Sequence, residues 1–244
     1  DVTYGFYQVF ADLHQVEADV IPLREDFSVR VEDYLNLETM IVLANPNAQV
    51  GRALTRAEME RIIAANPDHV VVVDEAYVDF GAESCVPLID RYPNLLVVQT
   101  FSKSRSLAGA RLGFALGSAE LIADLNRLKY STNPYNVNRL TMAAGVAALE
   151  AEDYYAKNCR AIQETRAWTV QALEALGFTV VPSLANFVLA AHKTVDGETI
   201  YRELKRRGIL VRHFTAPRIA NYNRITIGSP EQMALLVQTL GEIL

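Results

Sequence analysis

The sequence predicts an α/β fold in which a mostly parallel sheet is sandwiched by helices and a smaller α+β domain follows at the C-terminal end. Short runs of valine, leucine and isoleucine, apolar at every position, are typical of buried parallel strands. Helical stretches separate these runs, as in βαβ units. The 244 residues are 50% apolar and 21% charged, which is ordinary for a globular protein and long enough for two domains.

Strands and helices alternate in the first part of the chain. After an opening turn, residues 17–23 are predicted to form a short strand and residues 28–37 a short helix. The next predicted strands are 41–44, 70–74, 95–100 and 112–117, and the predicted helices are 56–65, 84–91, 118–128 and 136–151. The helix at 56 has a clear start, because Thr55 is a good N-cap residue and Glu58 completes a capping box.

A long helix, from about residue 153 to 176, is predicted to lead into the C-terminal part. Gly177 is placed to stop this helix. Strands are then predicted at 178–181, 186–191, 209–213 and 223–227, and helices at 197–207 and 229–243. We therefore expect a large domain over residues 1–150 and a smaller C-terminal domain over residues 151–244.

Charge and cysteine content argue against several classes of function. The net charge of −6 disfavours non-specific binding to nucleic acid or to an anionic membrane. No apolar stretch approaches the roughly 20 residues that cross a bilayer. Cys85 and Cys159 form no CxxC pair and have no histidine at metal-ligand spacing. We therefore predict no metal site, and we expect two reduced thiols in a cytoplasmic protein.

Polar residues follow three of the predicted strands. Residues 45–47 are Asn-Pro-Asn, residues 74–77 are Asp-Glu-Ala-Tyr, and residues 100–103 are Thr-Phe-Ser-Lys. Ligands of open α/β sheets bind beyond the carboxyl ends of the strands. We therefore expect an amide, a carboxylate, a phenol and a lysine to share one crevice.

Lys103 and Asp74 are the main catalytic candidates. A lysine held in a dry cleft loses its proton more easily, and its neutral amine can form a Schiff base with an aldehyde cofactor. An aspartate after a buried strand is costly to bury unless it is paired, and the pyridinium nitrogen of pyridoxal phosphate would be a suitable partner. The alternatives are a surface lysine at 103 and a metal ligand or N-cap at 74.

Two tyrosines and two asparagines are candidates for contacts with the cofactor ring. The Tyr77 phenol is placed to donate to a ring oxygen, and so are the amides of Asn45 and Asn47. Simple turn formation is the alternative for both asparagines. Tyr4 is expected either to stack on a flat ring or to pack in the core.

Hydroxyls and arginines are candidates for binding anions. Thr100 and Ser102, together with the guanidinium of Arg111, would form a cup for the cofactor phosphate. Arg224 opens an apolar strand, and a buried arginine needs an anion such as a substrate carboxylate. Arg212 supplies a second cation on a neighbouring strand. An internal salt bridge is the alternative for Arg224 and Arg212.

These motifs together resemble the fold-type I pyridoxal-phosphate-dependent aminotransferases, and within them the histidinol-phosphate branch. The resemblance covers the whole chain. Its most specific stretches are residues 74–77, 100–103 and 107–113. Residues 135–138 and 208–212 favour the histidinol-phosphate branch less decisively.

The resemblance implies a role for each candidate. Lys103 would bind the cofactor and later move a proton, Asp74 would pair with the pyridine nitrogen, and Tyr77 would contact the ring oxygen. The other implied roles are ring stacking for Tyr4, cofactor phosphate binding for Thr100, Ser102 and Arg111, substrate carboxylate binding for Arg224 and substrate phosphate binding for Arg212.

The chain departs from the family pattern in two places. The family loop usually reads Asn-Pro-Asn-Asn-Pro-Thr-Gly, but Ala48 stands where the ring-contacting asparagine is expected, so Asn47 would have to substitute. Family members also carry a segment before the tyrosine turn, with a cofactor-phosphate loop and a substrate-binding arm. We expect the chain to be a fragment or, if it is the whole molecule, to bind the cofactor weakly and show little activity.

The function implied by the resemblance is a cytoplasmic, homodimeric enzyme that acts on small amino-acid and keto-acid substrates. The expected reaction converts histidinol phosphate and 2-oxoglutarate to imidazole acetol phosphate and glutamate in histidine biosynthesis. The alternatives are an aromatic amino-acid aminotransferase, a phosphothreonine decarboxylase of the same fold, or an inactive fragment that keeps the fold. A nicotinamide-binding domain is disfavoured, because no GxGxxG motif follows a strand.

Overall fold

Two four-stranded sheets organise the protein, as seen in a computed structural model that describes residues 1–244. The first sheet contains, in spatial order, β1 (Ile41–Ala44), β2 (Val71–Asp74), β3 (Leu95–Thr100) and β4 (Gly113–Gly117). The second sheet contains β5 (Phe178–Val181), β6 (Phe187–His192), β7 (Arg212–His213) and β8 (Asn223–Thr226). Strand β8 lies between β6 and β7.

Seven α-helices surround the sheets. They are α1 (Phe6–His14), α2 (Arg56–Ala65), α3 (Ala119–Thr132), α4 (Arg139–Glu150), α5 (Glu152–Ala175), α6 (Gly197–Arg206) and α7 (Pro230–Ile243). The predicted capping box of α2 is confirmed, because the Glu58 amide donates to Thr55 Oγ1 and the Thr55 amide donates to the Glu58 carboxylate. None of the helices combines the length and apolar composition that a membrane span requires.

The strand directions place the polar segments at one edge of the first sheet. Strands β1, β2 and β3 are parallel, with Ala44 beside Asp74 and Asp74 beside Val98. Strand β4 runs antiparallel to β3, with Gly113 opposite Thr100. The predicted mostly parallel sheet is confirmed, and the carboxyl ends of β1, β2 and β3 lie side by side.

The main core covers one face of the first sheet. Alternate residues of β1, β2 and β3, including Ile41, Val71 and Leu95, pack in one cluster with Met59 and Ile62 of α2. The other face of β1 is more open, since Val42 is 37% exposed. Burial therefore alternates along β1, whereas the sequence predicted a strand buried on both faces.

The second sheet has its own core, formed with α5, α6 and α7. Val188 and Ile225 pack there with Leu173, Ile200 and Leu240 of the three helices. A smaller cluster that includes Tyr77 and Phe187 connects the two sheets. The domain boundary at residue 150 stays a prediction.

Four predicted elements differ in the structure, and one of them is the strand at 209–213, which is reduced to the two residues of β7, Arg212–His213. Residues 17–23 pair with no strand and form none. The predicted helices at 28–37 and 84–91 are reduced to single 3₁₀ turns, Val31–Tyr34 and Val86–Leu88. Helix α1 was not predicted, although its apolar residues recur with helical spacing.

Candidate active site

Asp74 lies at the carboxyl end of β2, half-buried, with both carboxylate oxygens engaged. Oδ1 accepts a hydrogen bond of 3.0 Å from the amide of Ala76, and Oδ2 accepts one of 2.6 Å from the phenol of Tyr7. A carboxylate offers roughly four acceptor positions. Asp74 therefore keeps acceptor capacity for a ligand that carries a protonated nitrogen.

Tyr7 and Tyr4 come from the segment that opens α1. Their rings meet edge to face, with centroids 5.6 Å apart and planes at 83°. Burial, followed by the charge of Asp74 and its hydrogen bond, raises the pKa of Tyr7 far above its usual value. Tyr4 is 48% exposed, so it is not a core residue and its ring remains accessible for stacking.

Lys103 lies in the turn that follows β3. Its Nζ is 5.2 Å from the centroid of the Tyr77 ring, and it forms neither an ion pair nor a side-chain hydrogen bond within the chain. The residue is exposed rather than held in the dry cleft expected from the sequence. The amine is therefore unpaired and accessible beside Tyr77.

Tyr77 connects the first sheet to the second. Its buried ring meets Phe187 of β6 edge to face, with centroids 5.3 Å apart. The guanidinium of Arg224 lies over the Phe187 ring, with its Cζ 4.8 Å from the ring centroid. Lys103, Tyr77, Phe187 and Arg224 thus form one continuous line of contacts.

Arg224, on β8, is half-buried and has no carboxylate partner. Its Nη1 donates to the Ala48 carbonyl oxygen at 2.7 Å and to Oε1 of Gln49 at 3.3 Å. Burial is the main cause that lowers its pKa, and the charge of Arg212 adds to this effect. The internal salt bridge is therefore not formed, and an anionic ligand would relieve this desolvated cation.

Arg212 lies directly opposite Arg224 across strands β7 and β8. It is exposed, and its Cζ is 5.4 Å from the Phe214 ring, while the Cζ of Arg224 is 5.5 Å from the same ring. Arg212 also forms no ion pair. Two neighbouring cations, each with free donors, therefore face one part of the site.

The predicted phosphate cup is only partly assembled. Thr100 Oγ1 donates to Ser102 Oγ at 2.9 Å, and the Ser102 amide donates to Thr100 Oγ1 at 3.1 Å, so the hydroxyls lie together. Arg111 has a left-handed backbone, with φ of 56°, and donates to the Ala108 carbonyl oxygen at 3.0 Å. Its guanidinium is exposed, forms no ion pair and does not bond to either hydroxyl.

Asn47 holds its own loop. Its buried Oδ1 accepts from the amides of Gln49 and Val50, at 2.8 and 3.1 Å, and its Nδ2 donates to the Val2 carbonyl oxygen at 2.8 Å. Asn45 is bound in the same way to the backbone of Leu54. Both asparagines therefore form the turn contacts that were predicted as the alternative to a cofactor contact. The contact of Asn47 with the cofactor stays a prediction.

Sequence reasoning missed Tyr7, Phe187 and Phe214. A signal for Tyr7 was present, because it lies three residues after Tyr4, a spacing that brings side chains together on one helical turn. The two phenylalanines carried no such signal. Their positions under Arg224 depend on how the second sheet meets the first.

The family follows from comparison with known proteins. The sequence model of the family described as aminotransferase class I and II matches residues 1–240. The chain belongs to this family. It is therefore an enzyme of the transaminase type. Over 243 residues it is 54% identical to a histidinol-phosphate aminotransferase of Marinomonas sp., and this match covers 98% of the chain and 69% of the relative.

Solved structures agree with the assignment to this fold. A histidinol-phosphate aminotransferase of Sinorhizobium meliloti, in complex with pyridoxal-5'-phosphate, matches with a TM-score of 0.86 and 25% identity, over 100% of this chain and 68% of that one. An L-threonine-O-3-phosphate decarboxylase of Porphyromonas gingivalis matches with a TM-score of 0.84 and 26% identity, over 98% and 74% of the two chains. The predicted family and fold class are confirmed.

Proposed function

We propose that this protein is a histidinol-phosphate aminotransferase, which converts histidinol phosphate and 2-oxoglutarate to imidazole acetol phosphate and glutamate in histidine biosynthesis. The observation that carries the proposal is the line of contacts from Lys103 through Tyr77 and Phe187 to Arg224. It joins an unpaired amine to a desolvated cation, beside the strand end that carries Asp74. Identity of 54% to the Marinomonas enzyme supports this substrate over others.

Pyridoxal 5'-phosphate is the cofactor that the family supports, and the donor set of the site fits it. Asp74 has acceptor positions for a ring nitrogen, and Lys103 has an unpaired amine for an aldehyde. The paired hydroxyls of Thr100 and Ser102, with Arg111, have the chemistry to hold a phosphate. When bound, the cofactor supplies an electron sink for the substrate α-carbon.

Lys103 is the proposed general base and acid. Its Nζ would hold the cofactor and then take a proton from the substrate α-carbon and return it. The Tyr77 ring, 5.2 Å away, limits the positions of the amine. We propose that the Tyr77 phenol contacts the ring oxygen and that Tyr4 stacks on the ring.

Arg224 and Arg212 are the proposed substrate-binding cations. Arg224 would bind a carboxylate of glutamate or 2-oxoglutarate with the donors that the loop leaves free. Arg212 would bind the phosphate of histidinol phosphate. Phe187 packs against the guanidinium of Arg224 and Phe214 against that of Arg212, so an aromatic ring covers part of each cation.

A visible spectrum and a substrate panel test the proposal. With added pyridoxal phosphate the protein should turn yellow. Borohydride should bleach the colour and leave the pyridoxyl group attached to Lys103. Lys103→Ala should prevent attachment of the pyridoxyl group, while Lys193→Ala, which removes an exposed lysine just after β6, should leave it unchanged. A colourless chain, or a label on another lysine, would refute the proposal.

Two products separate the candidate reactions. Histidinol phosphate with 2-oxoglutarate should yield glutamate faster than an aromatic amino acid does. The likeness to the Porphyromonas decarboxylase favours a second candidate, in which phosphothreonine releases carbon dioxide. Carbon dioxide without glutamate would support that reaction and contradict the transaminase.

We further propose that the protein is a cytoplasmic homodimer. Large apolar side chains are exposed on α1, α3 and α4, among them Phe10, Leu128 and Leu140, and a partner would remove them from water. Cys85 and Cys159 are free thiols, which suits a reducing compartment. Sedimentation at micromolar concentration should show a dimer, and a monomer with accessible α1 and α4 would contradict the proposal.

A further inference from the structure

The contact between Tyr7 and Asp74 takes no direct part in the proposed transfer of the amino group. The phenol oxygen and Oδ2 are 2.6 Å apart, which is typical of a hydroxyl that donates to a charged carboxylate. The two residues are 67 positions apart in the chain. Two unrelated elements, α1 and the end of β2, therefore meet at the carboxylate that is proposed to receive the cofactor nitrogen.

The hydrogen bonds of Asp74 determine which acceptor positions remain. Tyr7 binds Oδ2 from one side, and the amide of Ala76 binds Oδ1 from the turn after β2. With one donor on each oxygen, rotation of the carboxylate about its Cβ–Cγ bond would break both bonds. The remaining acceptor positions consequently point in fixed directions.

We propose that Tyr7 is a positioning residue, whose phenol orients the Asp74 carboxylate toward the ring nitrogen of the cofactor. The inference rests on the proposed function, because it needs a cofactor with a protonated ring nitrogen. Tyr7 acts through Asp74 and need not touch the cofactor. Its hydroxyl, rather than its ring, carries this role.

The same short segment also supplies Tyr4. The Tyr7 amide donates to the Tyr4 carbonyl oxygen at 3.2 Å, and the two rings pack edge to face. No residue of α1 is fully buried, so apolar packing does little to hold the helix in place. The bond from Tyr7 to Asp74 therefore also positions Tyr4, the proposed stacking ring, relative to the nitrogen partner.

The phenol is suited to be a permanent donor. Burial and the Asp74 charge raise the pKa of Tyr7, so its proton stays in place over the range in which an enzyme works. A donor that never ionises holds the carboxylate in one orientation at every such pH. Phenylalanine would keep the ring and lose only this donor.

Cofactor binding tests the inference when two forms of the cofactor are compared. Pyridoxal phosphate and its 1-deaza analogue, in which carbon replaces the ring nitrogen, would each be titrated into wild type and Tyr7→Phe by fluorescence quenching. Loss of a hydrogen bond to a charged group corresponds to about tenfold in affinity. We expect Tyr7→Phe to bind pyridoxal phosphate about tenfold more weakly and to bind the analogue as wild type does.

Tyr92→Phe is the matched control. Its phenol donates to the Glu60 carboxylate at 2.8 Å, so the change removes a bond of the same chemistry elsewhere on the first domain. It should leave both affinities unchanged. Equal weakening of both ligands in Tyr7→Phe would show a merely structural role and overturn the inference, and so would no weakening at all. Failure of wild type to bind pyridoxal phosphate would refute the proposed function itself.

A measurement without cofactor tests the contact directly. In protein labelled with ¹³C at the tyrosine Cζ, the Tyr7 signal, assigned by its loss in Tyr7→Phe, reports the state of the phenol. Asp74→Asn should shift this signal and lower the pKa of Tyr7, because it removes the adjacent charge. An unchanged signal and titration in Asp74→Asn would mean that the phenol does not face Asp74, which would overturn the inference even if Tyr7→Phe folds poorly.

Discussion

Glu75 is the residue after Asp74, and we predict that its loss damages the fold far more than the loss of Asp74 does. The Glu75 side chain is 1% exposed. Its carboxylate accepts hydrogen bonds from Ser84 Oγ at 2.7 Å, from the Cys85 amide at 2.6 Å and from Gln99 Nε2 at 2.8 Å. Glu75→Ala removes the acceptor of all three donors and leaves a cavity.

The magnitude follows from the surroundings of those donors. An unmet buried donor costs roughly 1–3 kcal/mol. The Cys85 amide is fully buried and bears that cost, while Ser84 and Gln99 are only half-buried and can turn partly toward water. We therefore expect the free energy of unfolding to fall by about 3–5 kcal/mol, a large part of the ~5–15 kcal/mol typical of a domain.

Urea unfolding, followed by circular dichroism and extrapolated to water, measures this loss. Asp74→Ala is the neighbouring control, because its half-buried carboxylate accepts two bonds and its removal should cost only about 1–2 kcal/mol. If Glu75→Ala cost less than about 1 kcal/mol, or no more than Asp74→Ala, the assignment of Glu75 to the fold would be wrong.

The pH dependence of stability supplies a second readout on Glu75. Burial raises its pKa above the unfolded value of 4.5, although its three hydrogen bonds oppose the shift. Between the unfolded and the folded pKa, the native state holds a proton that the unfolded state has released. The contribution of Glu75 to stability therefore decreases as the pH rises through this window. Glu75→Gln should flatten that slope, and an unchanged slope would assign it to other groups.

Three further predictions concern the candidate site. Asp74→Ala should reduce kcat/KM for transamination at least ~100-fold, which is about 2.7 kcal/mol, while the free energy of unfolding falls by only about 1–2 kcal/mol. Equal loss of fold and activity would make Asp74 structural. Arg224→Gln should raise the KM for glutamate about 10- to 100-fold without changing cofactor affinity, since its guanidinium has no carboxylate partner in the chain. The control is Arg202→Gln, which breaks an exposed ion pair with Glu198 and should leave KM unchanged. Tyr77→Phe should leave the melting temperature unchanged, because the Tyr77 phenol forms no hydrogen bond within the chain. It should weaken cofactor binding several-fold, as measured by titration. Unchanged binding would show that the Tyr77 phenol does not contact the cofactor.

Local signals explain which elements could be predicted from the sequence. The capping box at Thr55 determined the start of α2, and the predicted strand 95–100 has the bounds of β3 in the structure. Helix α1 was missed although its spacing was visible, because the opening residues were interpreted only as a turn. Residues 17–23 have strand-like composition but no partner strand, and only the tertiary structure shows this.

The candidate site, like the fold, could be predicted from the sequence only in part. The strand ends at Asp74 and Thr100 were predictable, because parallel neighbours bring their carboxyl ends together. The exposure of Lys103 and the platform that Phe187 makes for Arg224 were not, because each depends on contacts between residues far apart in the chain. Motifs thus identified the chemical groups, while the packing between the sheets determined their partners.

The contact of Arg224 with the loop after β1 bears on the unusual residue at position 48. The acceptor at 2.7 Å is the peptide carbonyl of Ala48, not a side chain. A main-chain acceptor is present whatever residue occupies the position. A different side chain at 48 would keep this acceptor for Arg224, so the amide expected there and the anchoring of Arg224 are separate properties of one loop.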